Sequence, residues 1–392
     1  MISVAIIIER TEIRLGGAER SIAELTDELQ AQGVRAHILA AAGIPTENVA
    51  VLCSNQPTHR ISLSAFEKAL TRHLAESHYD IIHSVLPFPF ADIYQPRGGS
   101  YKEAMLQNAA SYTNPAIARW KQWTHFLNRR RTAYLRAEQA LCRPTQHTIV
   151  AALSDYVKQQ FIRHYQLSEK RIAVIPNGIN VQRLATRENA NTFRQSILAN
   201  AAVKDHLNPV LFLLAANNFR LKGLREAIEG IQLSLRLHPQ SPAFLIVAGS
   251  DNPTPCQSLA KSLGVENRIL FLGSQSNLAD ALAASDAAIL PTWYDPCSRF
   301  ILEALAADKP VITTKFNGAA EQYQSGKHGF IVKRPDCIVK LADAINALCD
   351  TATRQSCIEA IRNDRLKDQL SITRHVGQLR QLYDIILAQK KG

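Results

Sequence analysis

The sequence predicts an α/β protein built of two doubly wound domains, each a parallel sheet covered by helices. Three observations carry that expectation. Short apolar runs such as Val4-Ala5-Ile6-Ile7-Ile8 lack polar alternation, as strands buried on both faces do. Segments of this kind alternate with stretches of helical period along the chain. The alternation lapses over a polar, weakly patterned stretch, 179–207, and then starts again. The length, 392 residues, suits two domains of ordinary size.

Each element has a local reason. After the strand at 4–8, a loop reaches Gly16-Gly17-Ala18-Glu19-Arg20. A helix follows with Ile22, Leu25 and Leu29 on one stripe, closed by Gly33, and 34–41 is a second strand. That order is a βαβ unit. Residues 80–83 and 148–152 are further strands. Ser154 is placed to cap a helix at 156–164, and 172–175 is a strand ending in Pro176-Asn177-Gly178. Beyond the lapse, strands are expected at 210–216, 243–248, 268–272, 287–290 and 311–314, with a helix at 224–238. These strands run into Gly249, Gly273, Pro291 and Asn317-Gly318. Ligands of such sheets bind beyond the carboxyl ends of the strands, where these turns lie.

Composition narrows the class. With 46% apolar and 20% charged residues, disordered and fibrous architectures are excluded. No apolar run approaches the ~20 residues of a membrane-spanning helix. The apolar start is too short for a secretory signal and runs straight into Glu9-Arg10. Seven cysteines without a C-x-x-C pair argue against a disulfide framework or zinc site, and for a reducing cytoplasm. The net charge of +11 favours anionic partners: nucleic acid, anionic membrane or phosphorylated ligands.

Three constellations carry chemistry. Gly16-Gly17 lies between the first strand and its helix. It is either a tight βα turn or a place where backbone amides meet an anion. Arg220-Leu221-Lys222-Gly223 follows the first strand of the second half. It is either a solvated basic loop or a second anion site, with Arg gripping phosphate bidentately and Lys as a point charge. The third is Asp295-Pro296-Cys297-Ser298-Arg299-Phe300-Ile301-Leu302-Glu303. Asp-Pro is a helix start, with Asp295 as cap and free amides near Cys297 and Ser298. On that helix Asp295 and Glu303 stand about 80° apart and face one side, with Ile301, Leu302 and Leu305 turned to the core. Taken alone, Asp295 is equally a plain cap and Glu303 a surface residue.

Together these residues resemble the family-4 glycosyltransferases of the GT-B fold. The resemblance rests on Gly-Gly near the N-terminus, Pro176-Asn177-Gly178, Arg220 with Lys222-Gly223, the acidic pair spaced from Asp295 to Glu303, and the strand and glycine turn at 310–318. It covers almost the whole chain in order. The stretches 153–166 and 176–179, and the loop from Phe219 to Gly223, are similar to bacterial lipopolysaccharide core glucosyltransferases.

The resemblance implies two Rossmann-like domains facing across a cleft. Residues 1–178 form the acceptor-side domain and 179–371 the nucleotide-sugar-binding domain. A C-terminal helix, about 372–392, packs back on the first. It implies that Gly16 and Gly17 approach the donor diphosphate and that Arg220 and Lys222 neutralise the leaving group. Asp295 touches the transferred sugar, Ser298 and Glu303 hold the nucleotide, with Glu303 on the ribose, and Gly273 borders the base. It also implies a retaining transfer of a hexose, glucose first, from a nucleotide sugar, UDP first, to a lipopolysaccharide-core or other glycolipid or polysaccharide acceptor. No Asp-x-Asp metal motif is present, so no metal or other cofactor is expected, and cations would take the charge of the departing diphosphate. The first-domain loop Pro96-Arg97-Gly98-Gly99-Ser100 holds neither the acid nor the His common in such enzymes. Arg97 and, more weakly, His83 are the acceptor-side candidates. A sugar-nucleotide epimerase of the same fold, or a catalytically weak nucleotide-sugar- or membrane-binding protein, are the alternative readings.

Much of the charge is local. Residues 101–136 carry Lys102, Arg119, Lys121, Arg129, Arg130, Arg131 and Arg136 against Glu103. Trp120, Trp123, Phe126 and Leu127 lie in the same segment. Such composition suits an anionic membrane surface, which would make the enzyme peripheral on the inner face of the cytoplasmic membrane. It also suits a helical pair with core tryptophans and a solvated basic face. No nucleic-acid motif accompanies it.

Overall fold

The computed structural model of the chain describes residues 1–12, 17–124, 128–184, 187–200, 202–204, 206–275 and 277–391. Two compact units emerge. The first comprises Met1–Ala109, Asn114–Gly178 and Ile372–Gly392, and the second Ala110–Thr113 and Ile179–Ser371. Residues 110–113, which the domain boundary at 178 would leave in the first domain, cluster by their contacts with the second unit.

The first unit is built on strands β1 (Ser3–Arg10), β2 (Arg35–Ala42), β3 (Val49–Ser54), β4 (Ile81–Ser84), β5 (Ile93–Tyr94), β6 (Ile149–Ala152) and β7 (Ile172–Val174). They form one sheet in the order β3-β2-β1-β4-β5-β6-β7, and every pairing is parallel. Central β1 explains its own composition: Val4 through Ile7 are fully buried, so no position selects a polar residue. The helix Gly17–Ala31 turns Ile22, Leu25 and Leu29 into this core. The helix Ile372–Lys391 adds Val376, Leu379, Leu382, Tyr383 and Ile386 to the same cluster.

The second unit holds β8 (Val210–Ala215), β9 (Ala243–Ala248), β10 (Ile269–Gly273), β11 (Ala287–Leu290), β12 (Val311–Thr314) and β13 (Gly329–Val332). Their order is β10-β9-β8-β11-β12-β13, again all parallel. The stretch read as a bare junction contains the helix Arg187–Leu198. Its polar face hid it from a hydrophobic pattern. It is held by Ile197, which is buried, and by Arg194, paired with Asp286 at 3.1 Å. The strands β3, β5 and β13 were not foreseen either. The first and last are sheet edges, and β5 is two residues long.

The basic segment forms three helices, Tyr101–Ala110, Pro115–Trp123 and Arg129–Leu141. The first and third are anchored from inside. Glu138 is fully buried and accepts hydrogen bonds from Tyr94 Oη (2.9 Å), Tyr165 Oη (2.5 Å) and the Tyr101 backbone N–H (2.9 Å). Glu103, also buried, meets His164 Nε2 at 2.6 Å. The middle helix buries none of its residues, and Trp120 and Trp123 are 59% and 77% exposed. They are therefore not core tryptophans. Arg130 pairs with Glu9 at 2.5 Å, so one of the three consecutive arginines serves the fold. Phe126 and Leu127 lie outside the described residues. Among the described residues, no helix is long and apolar enough to cross a membrane.

Candidate active site

In the second sheet, chain order reverses between β8 and β11, the switch point at which ligands of such sheets bind. The Arg220 loop follows β8 and the Asp295 loop follows β11. Gly223 sets how closely the two loops approach. Its φ is +77°, and a Cβ there would sit 2.0 Å from the Pro291 carbonyl oxygen. With hydrogen in that place, the Leu221 carbonyl accepts from Trp293 N–H at 2.9 Å and from Thr292 Oγ1 at 3.0 Å. Lys222 then reaches across. Its Nζ donates to Asp295 Oδ2 at 2.6 Å and to the Tyr294 carbonyl at 3.0 Å.

The helix expected to start at Asp295 starts later. It runs Arg299–Ala306, and its cap is Ser298, whose Oγ accepts from Ile301 N–H. The 80° relation between Asp295 and Glu303, drawn on one helix, therefore does not hold. Asp295 instead makes a backbone bridge with Asn317. Its N–H donates to the Phe316 carbonyl and its carbonyl accepts from Gly318 N–H, both at 2.9 Å. The amides expected to be free are engaged. Cys297 N–H donates to Asp295 Oδ1 at 3.2 Å, and Ser298 N–H donates to Asn317 Oδ1 at 3.1 Å. A local Asp-Pro signal lost to a tertiary partner. On the helix itself, Ile301, Leu302 and Leu305 are fully buried, and Glu303 meets Arg299 Nη2 at 3.5 Å.

Arg220 rests on Tyr112, with 3.8 Å from the guanidinium carbon to the ring centroid, and its Nη1 donates to Ser111 Oγ. Thus Arg220, Lys222, Asp295, Ser298 and Glu303 lie on the two loops and one helix at the switch point. Gly273 stands apart from them, at the end of edge strand β10, with φ +68° and its carbonyl accepting from Gly249 N–H.

In the first unit, Gly17 opens its helix, and among the described residues a Cβ there would meet nothing within 4 Å beyond its chain neighbours and its own helix. Gly16 lies outside the described residues. Arg97 Nη1 donates to Asn177 Oδ1 at 2.7 Å and to Ser21 Oγ at 2.9 Å, joining the Pro-Asn-Gly turn to the first helix. His83 is fully buried in β4, with Nδ1 2.7 Å from Tyr383 Oη. Burial, reinforced by the charge of Arg97, lowers it to about 3, so it is neutral at physiological pH.

Several contributors escaped sequence reading. Arg299 was legible in principle, since it stands four residues before Glu303 on a helix. Asn317 was seen only as a turn, yet it braces the site: it is 1% exposed, accepts from Ser298 and Ala319 N–H, and donates to Thr313 Oγ1. Glu226 is 4% exposed beneath the same loops and accepts from Trp293 Nε1 at 2.9 Å. Burial lifts its carboxyl to about 7, against the lowering effect of the Trp293 hydrogen bond.

Two outcomes follow from this geometry. Gly223→Ala is expected to destabilise by at least ~1 kcal/mol through its positive φ alone, and by more through the Pro291 contact. Thermal unfolding at a few degrees lower temperature checks it. Glu226 binds its proton more tightly folded than unfolded. The stability this contributes is fully present below the ordinary carboxyl value of 4.5 and is lost as pH rises through about 7. Glu226→Gln keeps an acceptor for Trp293 and cannot ionise. Its unfolding temperature, relative to the parent chain, should rise between pH 5 and pH 8, and parallel profiles would refute the assignment.

Residues 15–183 match the family described as Glycosyltransferase Family 4, and residues 200–364 match Glycosyl transferases group 1. The lipopolysaccharide glucosyltransferase WaaG of Escherichia coli is 25% identical over 292 residues, 74% of each chain. N-acetyl-alpha-D-glucosaminyl L-malate synthase of Bacillus anthracis is 30% identical over 183 residues, 46% of this chain and 47% of that one. The fold matches the crystal structure of WaaG with a TM-score of 0.76 at 21% identity, covering 98% of this chain and 99% of that one. It matches Anabaena Alr3699/HepE in complex with UDP-glucose with a TM-score of 0.72 at 18% identity, covering 98% and 100%. The chain is a glycosyltransferase of the GT-B type, a Glycosyltransferase Family 4 domain followed by a group 1 domain.

Proposed function

We propose that this glycosyltransferase moves glucose, with retention of anomeric configuration, from UDP-glucose to a lipopolysaccharide-core or related glycolipid acceptor. One observation carries the reading: the two cations and the acid singled out by their spacing converge at the switch point, with Lys222 2.6 Å from Asp295. The name of the Escherichia coli relative supports the acceptor and sugar, and the UDP-glucose complex of HepE supports the donor.

In this reading Arg220 and Lys222 receive the diphosphate, where negative charge grows as the glycosidic bond to phosphate breaks. Asp295, held by its backbone bridge and by Lys222, orients the sugar hydroxyls, and Glu303 binds the ribose. Gly17 leaves room for a phosphate beside the helix N-terminus. An acceptor hydroxyl attacks the anomeric carbon from the face the diphosphate leaves. The departing phosphate oxygen takes the hydroxyl proton, giving UDP and the new glycoside. The cations of the site supply the charge stabilisation, with no metal in the scheme.

The exposed Trp120 and Trp123, with Arg119, Lys121, Arg129 and Arg131, support docking of the Pro115–Trp123 helix and its flank on an anionic lipid surface at the cytoplasmic membrane face.

Lys222→Ala and Glu303→Ala are each expected to lower UDP release from UDP-glucose about 10²-fold in a coupled assay with glycolipid acceptor. Failure of the parent chain to bind or turn over any UDP-, GDP- or ADP-sugar sinks the reading. For the membrane surface, the double change Arg129→Gln and Arg131→Gln should weaken binding to phosphatidylglycerol vesicles tenfold or more, at about 1 kcal/mol per cation. Binding that ignores both this change and added salt removes the claim. Arg130 is left intact because its pairing with Glu9 serves the fold.

A further inference from the structure

Arg220 leaves the end of β8, yet its supports lie 109 residues earlier in the case of Ser111. Ala110–Thr113 belongs by its contacts to the second unit, although the helices flanking it in sequence belong to the first. The segment makes two different contacts with the same side chain. Tyr112 presents its ring 3.8 Å from the guanidinium carbon, and buried Ser111 accepts a hydrogen bond from Nη1. That separation puts the guanidinium carbon over the ring. An arginine can rest on a ring by its face and grip phosphate by its edge N–H groups, so the two roles are compatible. The serine contact fixes the rotation of the fork about the stacking direction. An arginine on a loop otherwise loses much rotamer freedom when it grips an anion, and a held one loses less.

We propose that Tyr112 is a positioning residue for Arg220. Its ring presets the guanidinium for a nucleoside diphosphate, and Ser111 sets the orientation of the edge. The proposal rests on the reading of Arg220 as a diphosphate ligand. It predicts that affinity for the diphosphate, and not for the nucleoside, depends on an aromatic ring at position 112.

The test is calorimetric titration of the full chain with UDP and with uridine. Tyr112→Leu should weaken UDP roughly three- to tenfold and leave uridine unchanged. Tyr112→Phe, which keeps the ring, should retain UDP affinity within about twofold. Arg220→Ala should weaken UDP, and adding Tyr112→Leu to it should cost nothing more, because the two residues then act through one contact. If Tyr112→Leu does not fold, Tyr112→Met fills the space without a ring and is expected to show the same loss. UDP affinity untouched by losing the ring, while Arg220→Ala weakens it, overturns this proposal alone. So does an equal loss for UDP and uridine, which would mark the ring as a structural support. UDP affinity untouched by Arg220→Ala overturns the diphosphate reading of Arg220 and the proposal with it.

Discussion

Gly223 lies against the backbone of Pro291 with no room for a Cβ, and the geometry of the candidate site in the second unit depends on that contact. Strands β8 and β11 are neighbours in the sheet, but neighbouring strands do not by themselves bring their loops together. The close approach lets Thr292 and Trp293 share the Leu221 carbonyl, which joins the loops at a fixed height. Only then does the Lys222 side chain span to Asp295. The ion pair is partly buried, with side chains 22% and 15% exposed, so it is weakly screened but carries a desolvation cost. Its value lies less in net stability than in geometry: it holds an acid and a base at hydrogen-bond distance beyond the ends of two strands.

The fold was legible because its central strands are buried on both faces. Val4–Ile7 and 210–214 cannot alternate polar and apolar residues, and the sequence displays that restriction directly. Arg220, Lys222 and Asp295 were legible because they follow such strands. What stayed hidden depends on long-range partners. Ser298 outcompetes Asp295 as a helix cap because Asn317, 19 residues away, engages the Ser298 amide and the backbone bridge holds Asp295 outside the helix. The helix Arg187–Leu198 carries no buried apolar stripe; an ion pair and one buried isoleucine hold it instead. Tyr112 gave no signal at all, since nothing in a tyrosine's local surroundings announces an arginine far along the chain.

Two features of the first unit depart from the common pattern: ionisable groups in the core and two tryptophans at the surface. Glu138 is tolerated in the core because two tyrosine hydroxyls and a backbone amide donate to it, and burial still raises its carboxyl to about 7. His83 meets burial in the opposite sense, by staying neutral beside Tyr383. Outward, Trp120 and Trp123 remain largely exposed. The basic segment therefore has an anchored frame, formed by the helices carrying Glu103 and Glu138, and a middle helix with no buried residue. Counting its arginines alone conceals the division, because Arg130 is spent on Glu9.

The path of the chain bears on how the protein is made. The first unit includes Ile372–Lys391, whose Val376, Leu379 and Tyr383 are fully buried in its core. Every residue of Ile179–Ser371 is translated before that helix exists. Domains commonly fold in the order in which they leave the ribosome. Here the unit that begins first cannot finish first: its sheet waits, with an apolar face uncovered, until the polypeptide of the other has emerged. Nascent chains stalled anywhere between residues 179 and 371 would carry that open face, a natural point of engagement for a chaperone that binds exposed apolar surface.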